Sequence, residues 1–212
     1  SLNISGQKVH FQSIKSRKIY EYFVKELQEL YSLQIRDGHN NFDFTDKEMS
    51  EIFVRPRSTA LVRKYREFQF MLLHGVIYTK KQLLKFGFVM DNLCSFCQQE
   101  IETYSHLFLY CVKVKQIWQF IIEYYDLVEL RNLEWRDIFL GLSGSSNRTK
   151  CVNTFIITLK YTIFKSRTGC NLPSRVKIQK IVLDFIEEEK NLAIKAGRLG
   201  LHLQKWEGLE LN

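Results

Sequence analysis

Residues Leu93 to Cys111 read L-C-S-F-C-Q-Q-E-I-E-T-Y-S-H-L-F-L-Y-C. Cys94 and Cys97 stand two residues apart, His106 follows after eight more, and Cys111 after four more. Three soft thiolates and one imidazole make a closed tetrahedral shell, the donor set Zn²⁺ takes in structural sites. The short first gap lets Cys94 and Cys97 grip one ion from a single tight turn. The gap from His106 to Cys111 spans a little over one helical turn, so both face one side if a helix begins there. Four protein ligands leave no open position for substrate or activated water, so the expected cofactor, Zn²⁺, is a scaffold and not a catalyst. The alternative is that the cysteines are small buried hydrophobes and the histidine a hydrogen-bonded core residue. Against it, three of the five cysteines in the chain fall in this stretch, with a histidine at ligand spacing.

Helical periods extend outward on both sides. Just upstream, Thr79 opens a short helix to Phe86, and Gly87 stops it. Before that, Leu61 to Leu73 carries Leu61, Tyr65, Phe68 and Leu72 on one face. Phe70, Met71 and Leu73 widen that face, which predicts a helix buried nearly all round, ending at His74-Gly75. Further upstream, Thr45 caps a short segment, with Glu48 at the capping-box position, that Pro56 is expected to close. A helix is expected from Ser13 to Asp37, on the period Ile14, Ile19, Phe23, Leu27 and Leu30. Residues 1–12 are polar and unpatterned and read as a linker.

Downstream, Val114, Ile117, Trp118 and Ile121 form one face of an amphipathic helix. Trp135 to Leu142 is a short apolar segment, and Gly144 to Asn147 a loop read as a subdomain hinge. Long helices follow at Asn147–Lys165 and Ser174–Ala196, with a short amphipathic tail from Leu199. The fold class is therefore mainly α: a helical domain organised around a single CCHC zinc knuckle, followed by a basic helical C-terminal segment. The expected divisions are a helical linker segment over 1–54, the zinc-binding domain over 55–128 and the basic segment over 129–212. The cysteine spacing resembles the CCHC knuckle, with a longer central gap than the retroviral version.

Composition bounds the function. The chain has 212 residues, 45% hydrophobic and 14% aromatic, which suits a packed globule, and only two prolines, which favours helix over sandwich or barrel. An odd cysteine count with three cysteines in a metal set excludes a secreted disulfide framework. No basic-then-apolar leader is seen, and no stretch reaches the roughly eighteen apolar residues of a membrane span. An intracellular setting is expected, in the nucleus or a cytoplasmic ribonucleoprotein, with no membrane partner. The missing initiator methionine suggests a fragment of a longer protein.

The net charge is +8, and its distribution points to a polyanion. Residues 138–183 contain no Asp or Glu but carry Arg148, Lys150, Lys160, Lys165, Arg167, Arg175, Lys177 and Lys180. A second block, Arg55, Arg57, Arg63, Lys64, Arg66, Lys80, Lys81 and Lys85, is opposed only by Glu67. Such surfaces neutralise phosphates and release counterions. Tyr65, Tyr78, Tyr161 and Trp206 lie near these cations in sequence and are candidates to stack on unpaired bases. No Gly-rich phosphate loop or nucleophile elbow occurs. The run Glu187-Glu188-Glu189 reads as a solvated helix face, and Cys151 and Cys170 as packing residues. The chain is not expected to be an enzyme by itself.

The segment R-E-F-Q-F-M-L-L-H-G-V-I-Y-T-K-K-Q-L-L-K-F-G, the cysteine stretch and K-Q-I-W resemble the zinc-binding region of reverse transcriptases from LINE-type non-LTR retrotransposons. Glu102, Thr103, His106, Leu107, Phe108 and Cys111 are the most specific part of that likeness. W-R-D-I-F-L-G-L, L-K-Y-T-I-F-K-S-R and the closing H-L-Q-K-W are similar to the end of the same polyproteins, so the likeness spans roughly residues 55–212. The resemblance implies Cys94, Cys97, His106 and Cys111 as ligands, element RNA or target DNA as partner, and the polymerase domain of the same polyprotein as neighbour. Polymerase aspartates and endonuclease motifs do not occur in the sequence. A second class stays open, a protein-interaction scaffold in which zinc only holds helices together.

Overall fold

Pro56 is the first place where chain and expectation part. The structure, a computed structural model, describes residues 2–4, 7–9 and 46–209. Helix α1 runs Asp46–Thr59, straight through Pro56. An internal proline costs a helix about 3 kcal/mol, and here tertiary anchors on either side of it offset the loss. The Arg55 guanidinium donates to the Leu140 and Gly141 carbonyls at 3.0 and 2.7 Å. The Thr59 carbonyl accepts from the Thr154 hydroxyl at 3.1 Å and from Lys205 Nζ at 2.7 Å. The helix expected over Ser13–Asp37 and the Thr45 cap lie outside the described residues.

Helix α2 spans Arg63–Leu73 and ends as the sequence requires. Gly75 N–H donates to Leu72 O and Val76 N–H to Met71 O, closing a Schellman turn on a glycine at φ 58°. Helix α3, Lys80–Lys85, opens on Thr79, whose N–H donates to Gln82 Oε1 at 2.8 Å. It closes with Gly87 (φ 74°) donating to Leu84 O and Phe88 to Leu83 O. Helix α4, Val112–Tyr124, buries Val114, Ile117, Trp118 and Ile121, the four residues its period singled out. Helices α5 (Trp135–Leu140), α6 (Asn147–Ser166), α7 (Arg175–Lys195) and α8 (Leu199–Trp206) complete the chain. Ser146 caps α6 and Ser174 caps α7, each hydroxyl accepting a backbone N–H three residues on.

Helix α6 is the axis of the core. Every residue from Cys151 to Lys160 is buried, because α1, α2, α7 and α8 all pack on it. Its entry is fixed by Asn153, whose amide exchanges hydrogen bonds with both backbone groups of Leu142. A Cβ on Gly141 (φ 79°) would lie 2.8 Å from Asn153 Oδ1, so only glycine fits there. Phe68 of α2 meets Tyr161 and Phe164 of α6 at 5.5 and 5.4 Å between ring centroids.

The closing H-L-Q-K-W has a packing role. Lys205 Nζ donates to both oxygens of Glu189 at 2.8 Å, and Trp206 Nε1 to one of them at 2.9 Å. Leu61 N–H also donates to Glu189, at 3.1 Å. Glu189 is thus no part of a solvated face. It continues the inward row Ile178, Val182, Phe185 and Ile186 on α7, while Glu187 and Glu188 remain in solvent. A charge this deep is tolerated because the ammonium and two N–H donors neutralise it.

Phe44–Asn212 forms one compact unit, so the stretches 55–128 and 129–212 share a core. Ser1–Asp43 is a separate unit. Within it, strands β1 (Leu2–Ile4) and β2 (Gln7–Val9) pair antiparallel, Ile4 facing Gln7, where the sequence read as an unpatterned linker.

Candidate metal centre

Two short stretches of backbone bring the four candidate ligands together. The first is a hairpin-like turn: Leu93 and Ile101 form an antiparallel bridge, Cys94 N–H donates to Glu100 O at 2.8 Å, and Gln98 N–H to Cys94 O at 3.0 Å. Gln98 takes a left-handed backbone, φ 57°, to close the loop after Cys97. The second is a π-helical turn over His106–Tyr110, closed by Cys111 N–H donating to His106 O at 2.8 Å. Five residues of α-helix would leave His106 and Cys111 about 140° apart around the axis. The wider π turn removes most of that offset and aims both at one point.

The ligand atoms of Cys94, Cys97, His106 and Cys111 all lie within 4.8 Å of one another. Cys94 Sγ and Cys111 Sγ are 3.8 Å apart, and Cys97 Sγ and His106 Nε2 3.3 Å. A tetrahedral zinc with bonds of about 2.3 Å to sulfur and 2.0–2.1 Å to nitrogen puts sulfurs about 3.8 Å apart and sulfur and nitrogen about 3.5 Å apart. The donor set and its spacing therefore fit zinc, with Nε2 as the imidazole ligand. On the other side of the ring, Glu100 Oε2 lies 3.2 Å from Nδ1 without hydrogen-bond alignment, close to the carboxylate–histidine arrangement that orients metal ligands.

The environment favours a thiolate at Cys111. The thiol hydrogen bond to Cys111 and burial push Cys94 well up, while accepting that bond lowers Cys111 to about 5. The N–H groups of Lys113 and Val114, at the start of α4, also point at Cys111 sulfur and lower it further. A divalent ion can displace the proton the sulfur pair shares.

The centre is tied into the core from three sides. Leu107, Phe108 and Leu109 of the π turn are buried, and Phe108 lies 6.3 Å from Phe68. Trp118 Nε1 donates to Phe108 O at 2.8 Å, satisfying a carbonyl of the π turn. The third tie is Glu102, fully buried. Its Oε2 accepts from Ser95 N and Oγ at 2.9 and 2.7 Å, between the first two cysteines. Its Oε1 accepts from Lys80 N at 2.9 Å and faces Arg167 Nη1 at 3.3 Å. One carboxylate thus joins the cysteine loop, the start of α3 and the end of α6. Its place was readable only as part of a motif, since nothing in sequence pairs residue 102 with residue 167.

The proposed phosphate contacts divide sharply. Lys160 is wholly buried, its Nζ donating to Gln69 Oε1 at 2.6 Å, and burial holds its pKa well below the ordinary value. It faces the core and is no surface contact. Arg167 is spent on Glu102 and the Tyr78 carbonyl, 2.8 Å away. Arg148 clamps Glu129 at 2.7 and 3.0 Å and also donates to Asp126 O. Arg63 pairs with Glu67 at 2.5 Å, Lys64 with Glu188 at 2.8 Å and Lys80 with Asp91 at 3.5 Å. Lys85, Lys165, Arg175, Lys177 and Lys180 are exposed, and Arg66, Lys81 and Lys150 half-buried. Of the candidate stacking residues, Tyr65 and Trp206 are buried and Tyr161 packs against Tyr65 and Phe68; Tyr78 is exposed. Phe70 and Met71, read as core, are 56% and 38% exposed, because α2 packs through the side that carries Tyr65, Phe68, Gln69, Leu72 and Leu73. No helix among the described residues is long and apolar enough to cross a membrane.

Neither a curated protein nor a solved structure matches the chain. Residues 29–118 match the family model described as zinc-binding in reverse transcriptase, and with the cluster of Cys94, Cys97, His106 and Cys111 inside that span they fit a zinc-binding reverse-transcriptase region.

Proposed function

We propose that the chain is a zinc-stabilised, non-catalytic module that binds RNA or DNA through its phosphates. The residues resembling LINE-type polyproteins support a place at the C-terminal end of a non-LTR retrotransposon reverse transcriptase, with element RNA or target DNA as the proposed ligand. The observation that carries the reading is where cations remain in solvent. Lys165 in the last turn of α6 and Arg175, Lys177 and Lys180 in the first turns of α7 are exposed, and residues 138–183 hold no Asp or Glu. Zinc would act through shape, since its thiolate ligands put negative charge on the site and the loop from Cys94 to Cys111 has no Lys or Arg.

A salt titration tests this. Binding of a labelled single strand should weaken steeply with salt, and Lys165→Glu/Lys177→Glu/Lys180→Glu should reduce the log–log slope by about 2, at about 0.7 per phosphate. A flat salt response, or full binding by the triple variant, overturns it. One observation favours a protein partner as a second reading: Phe86, Phe88 and Met90 are 56%, 77% and 99% exposed on the turn that Gly87 fixes. Exposed apolar groups this close together mark contact surfaces, and the polymerase domain of the same polyprotein is the partner it would imply.

A further inference from the structure

The residues that α2 withholds from the core do not face bare solvent. Phe70 and Met71 line a groove of about 640 Å³ with Phe53 and Arg57 of α1 and with Arg63 and Arg66 of α2. That volume lies within the range of about 300–1,000 Å³ typical of sites for small ligands. The lining rings Phe53 and Phe70 are joined through His74, whose ring stacks on Phe53 at 5.2 Å and meets Phe70 at 3.8 Å. Glu67, the one acid of the lining, is paired with Arg63. Arg57 and Arg66 form no ion pair with a described residue. A half-exposed phenylalanine beside two guanidinium groups suits a ligand with a flat apolar face and a nearby anion. Guanidinium forks match phosphate oxygens in pairs, and any base offers a π face.

We infer that the groove between α1 and α2 binds an unpaired nucleotide of a single strand, with its base on Phe70 and its phosphates at Arg57 and Arg66. This rests on the nucleic-acid reading above and locates a contact apart from the α6–α7 cations. The groove then selects unpaired over duplex segments, because a paired base hides its face in the stack.

The test uses the full chain with three fluorescein-labelled probes of equal length: an oligoadenylate, an abasic strand and a duplex. Phe70→Ala should weaken the oligoadenylate about 5–150-fold, the range of base stacking at about 1–3 kcal/mol, and leave the abasic strand and the duplex unchanged. Its salt slope should stay that of the wild type. Arg57→Gln and Arg66→Gln should each lower the slope for both single strands by about 0.7. All three side chains reach solvent, and melting curves with zinc content show whether each variant folds. Wild-type affinities in every variant, with salt-dependent binding intact, overturn the groove and leave the proposed function standing. Absence of binding by the wild-type chain overturns both. If a labelled Glu- and Phe-rich peptide binds and loses its affinity in Phe70→Ala while the single strand keeps the wild-type value, the groove belongs to a protein and the inference is overturned.

Discussion

Glu102→Ala should be among the most damaging single substitutions outside the Cys94, Cys97, His106 and Cys111 cluster. The carboxylate is fully buried and accepts from two backbone N–H groups and a hydroxyl while facing Arg167 at 3.3 Å. Hydrogen bonds to a charged group contribute about 1.5–3 kcal/mol each, and removing one partner of a buried ion pair costs about 3–5 kcal/mol because the other stays behind unpaired. Alanine also opens a cavity between α3 and the cysteine loop. A loss of about 3–5 kcal/mol is therefore expected. For a chain of this size that lowers Tm by about 6–20 °C, at about 2–4 °C per kcal/mol. Thermal melts of the zinc-loaded protein give the number, and zinc release to a chromogenic chelator should quicken, since Ser95 loses both bonds that hold the loop between Cys94 and Cys97. Arg167→Met paired with Glu102→Ala completes a double-mutant cycle, with a coupling of about 1–3 kcal/mol expected. A loss below about 1 kcal/mol with unchanged zinc release would refute the view that this carboxylate ties the metal loop to α6.

Other outcomes follow from buried charges and from the metal. Burial lowers the Lys160 pKa, so between that lowered value and the ordinary 10.5 the unfolded chain binds more protons than the folded one. Stability should rise with pH across that window, and Lys160→Met should remove most of the rise in urea melts at a series of pH values; an unchanged slope would place the ammonium in solvent. A residual slope of the same sign should remain from Lys205, also lowered by burial. Lys205→Met leaves Glu189 buried with its cation gone, for a loss of about 3–5 kcal/mol, and adding Glu189→Gln should recover part of it; equal losses in both would show the pair is not coupled. Chelation should expose Cys94 and Cys111 to a thiol reagent and speed amide exchange over residues 93–111 while α6 and α7 keep their protection. Uniform loss of protection would show that metal and core unfold as one.

Local signals carried most of the architecture because they act within a few residues. Thr79 with Gln82, the glycines after α2 and α3, and the serines before α6 and α7 each place a helix end by a bond reaching three to five residues. The period of α4 named its four buried residues, since an amphipathic helix at a surface has one inward side. Failures came where tertiary partners decide. The helix through Pro56 is held by Arg55 and Thr59, whose partners lie some 85 to 146 residues away. Lys160 sits on a helix enclosed from every side, so sequence charge did not mean surface charge. Arg148 and Arg167 looked free because their carboxylates, Glu129 and Glu102, lie outside the acid-free run. That Cys94, Cys97, His106 and Cys111 gather at one point was legible from donor type and spacing, but the π turn was not, since an extra residue per turn leaves no mark in composition. Glu189 was missed although its signal was present: it continues the inward row of α7 at helical spacing from Phe185.

The most direct test is the visible spectrum of the chain loaded with cobalt(II) in place of zinc. One cobalt per chain is expected, with the intense d–d bands of a tetrahedral site and thiolate-to-metal charge transfer from three sulfurs. Zinc should bleach them stoichiometrically. His106→Ala should shift the d–d bands, and Cys94→Ser, Cys97→Ser or Cys111→Ser should each remove part of the charge transfer. No uptake, or the weak spectrum of a six-coordinate oxygen site unaltered by these substitutions, would show that Cys94, Cys97, His106 and Cys111 are packed side chains and not a metal centre.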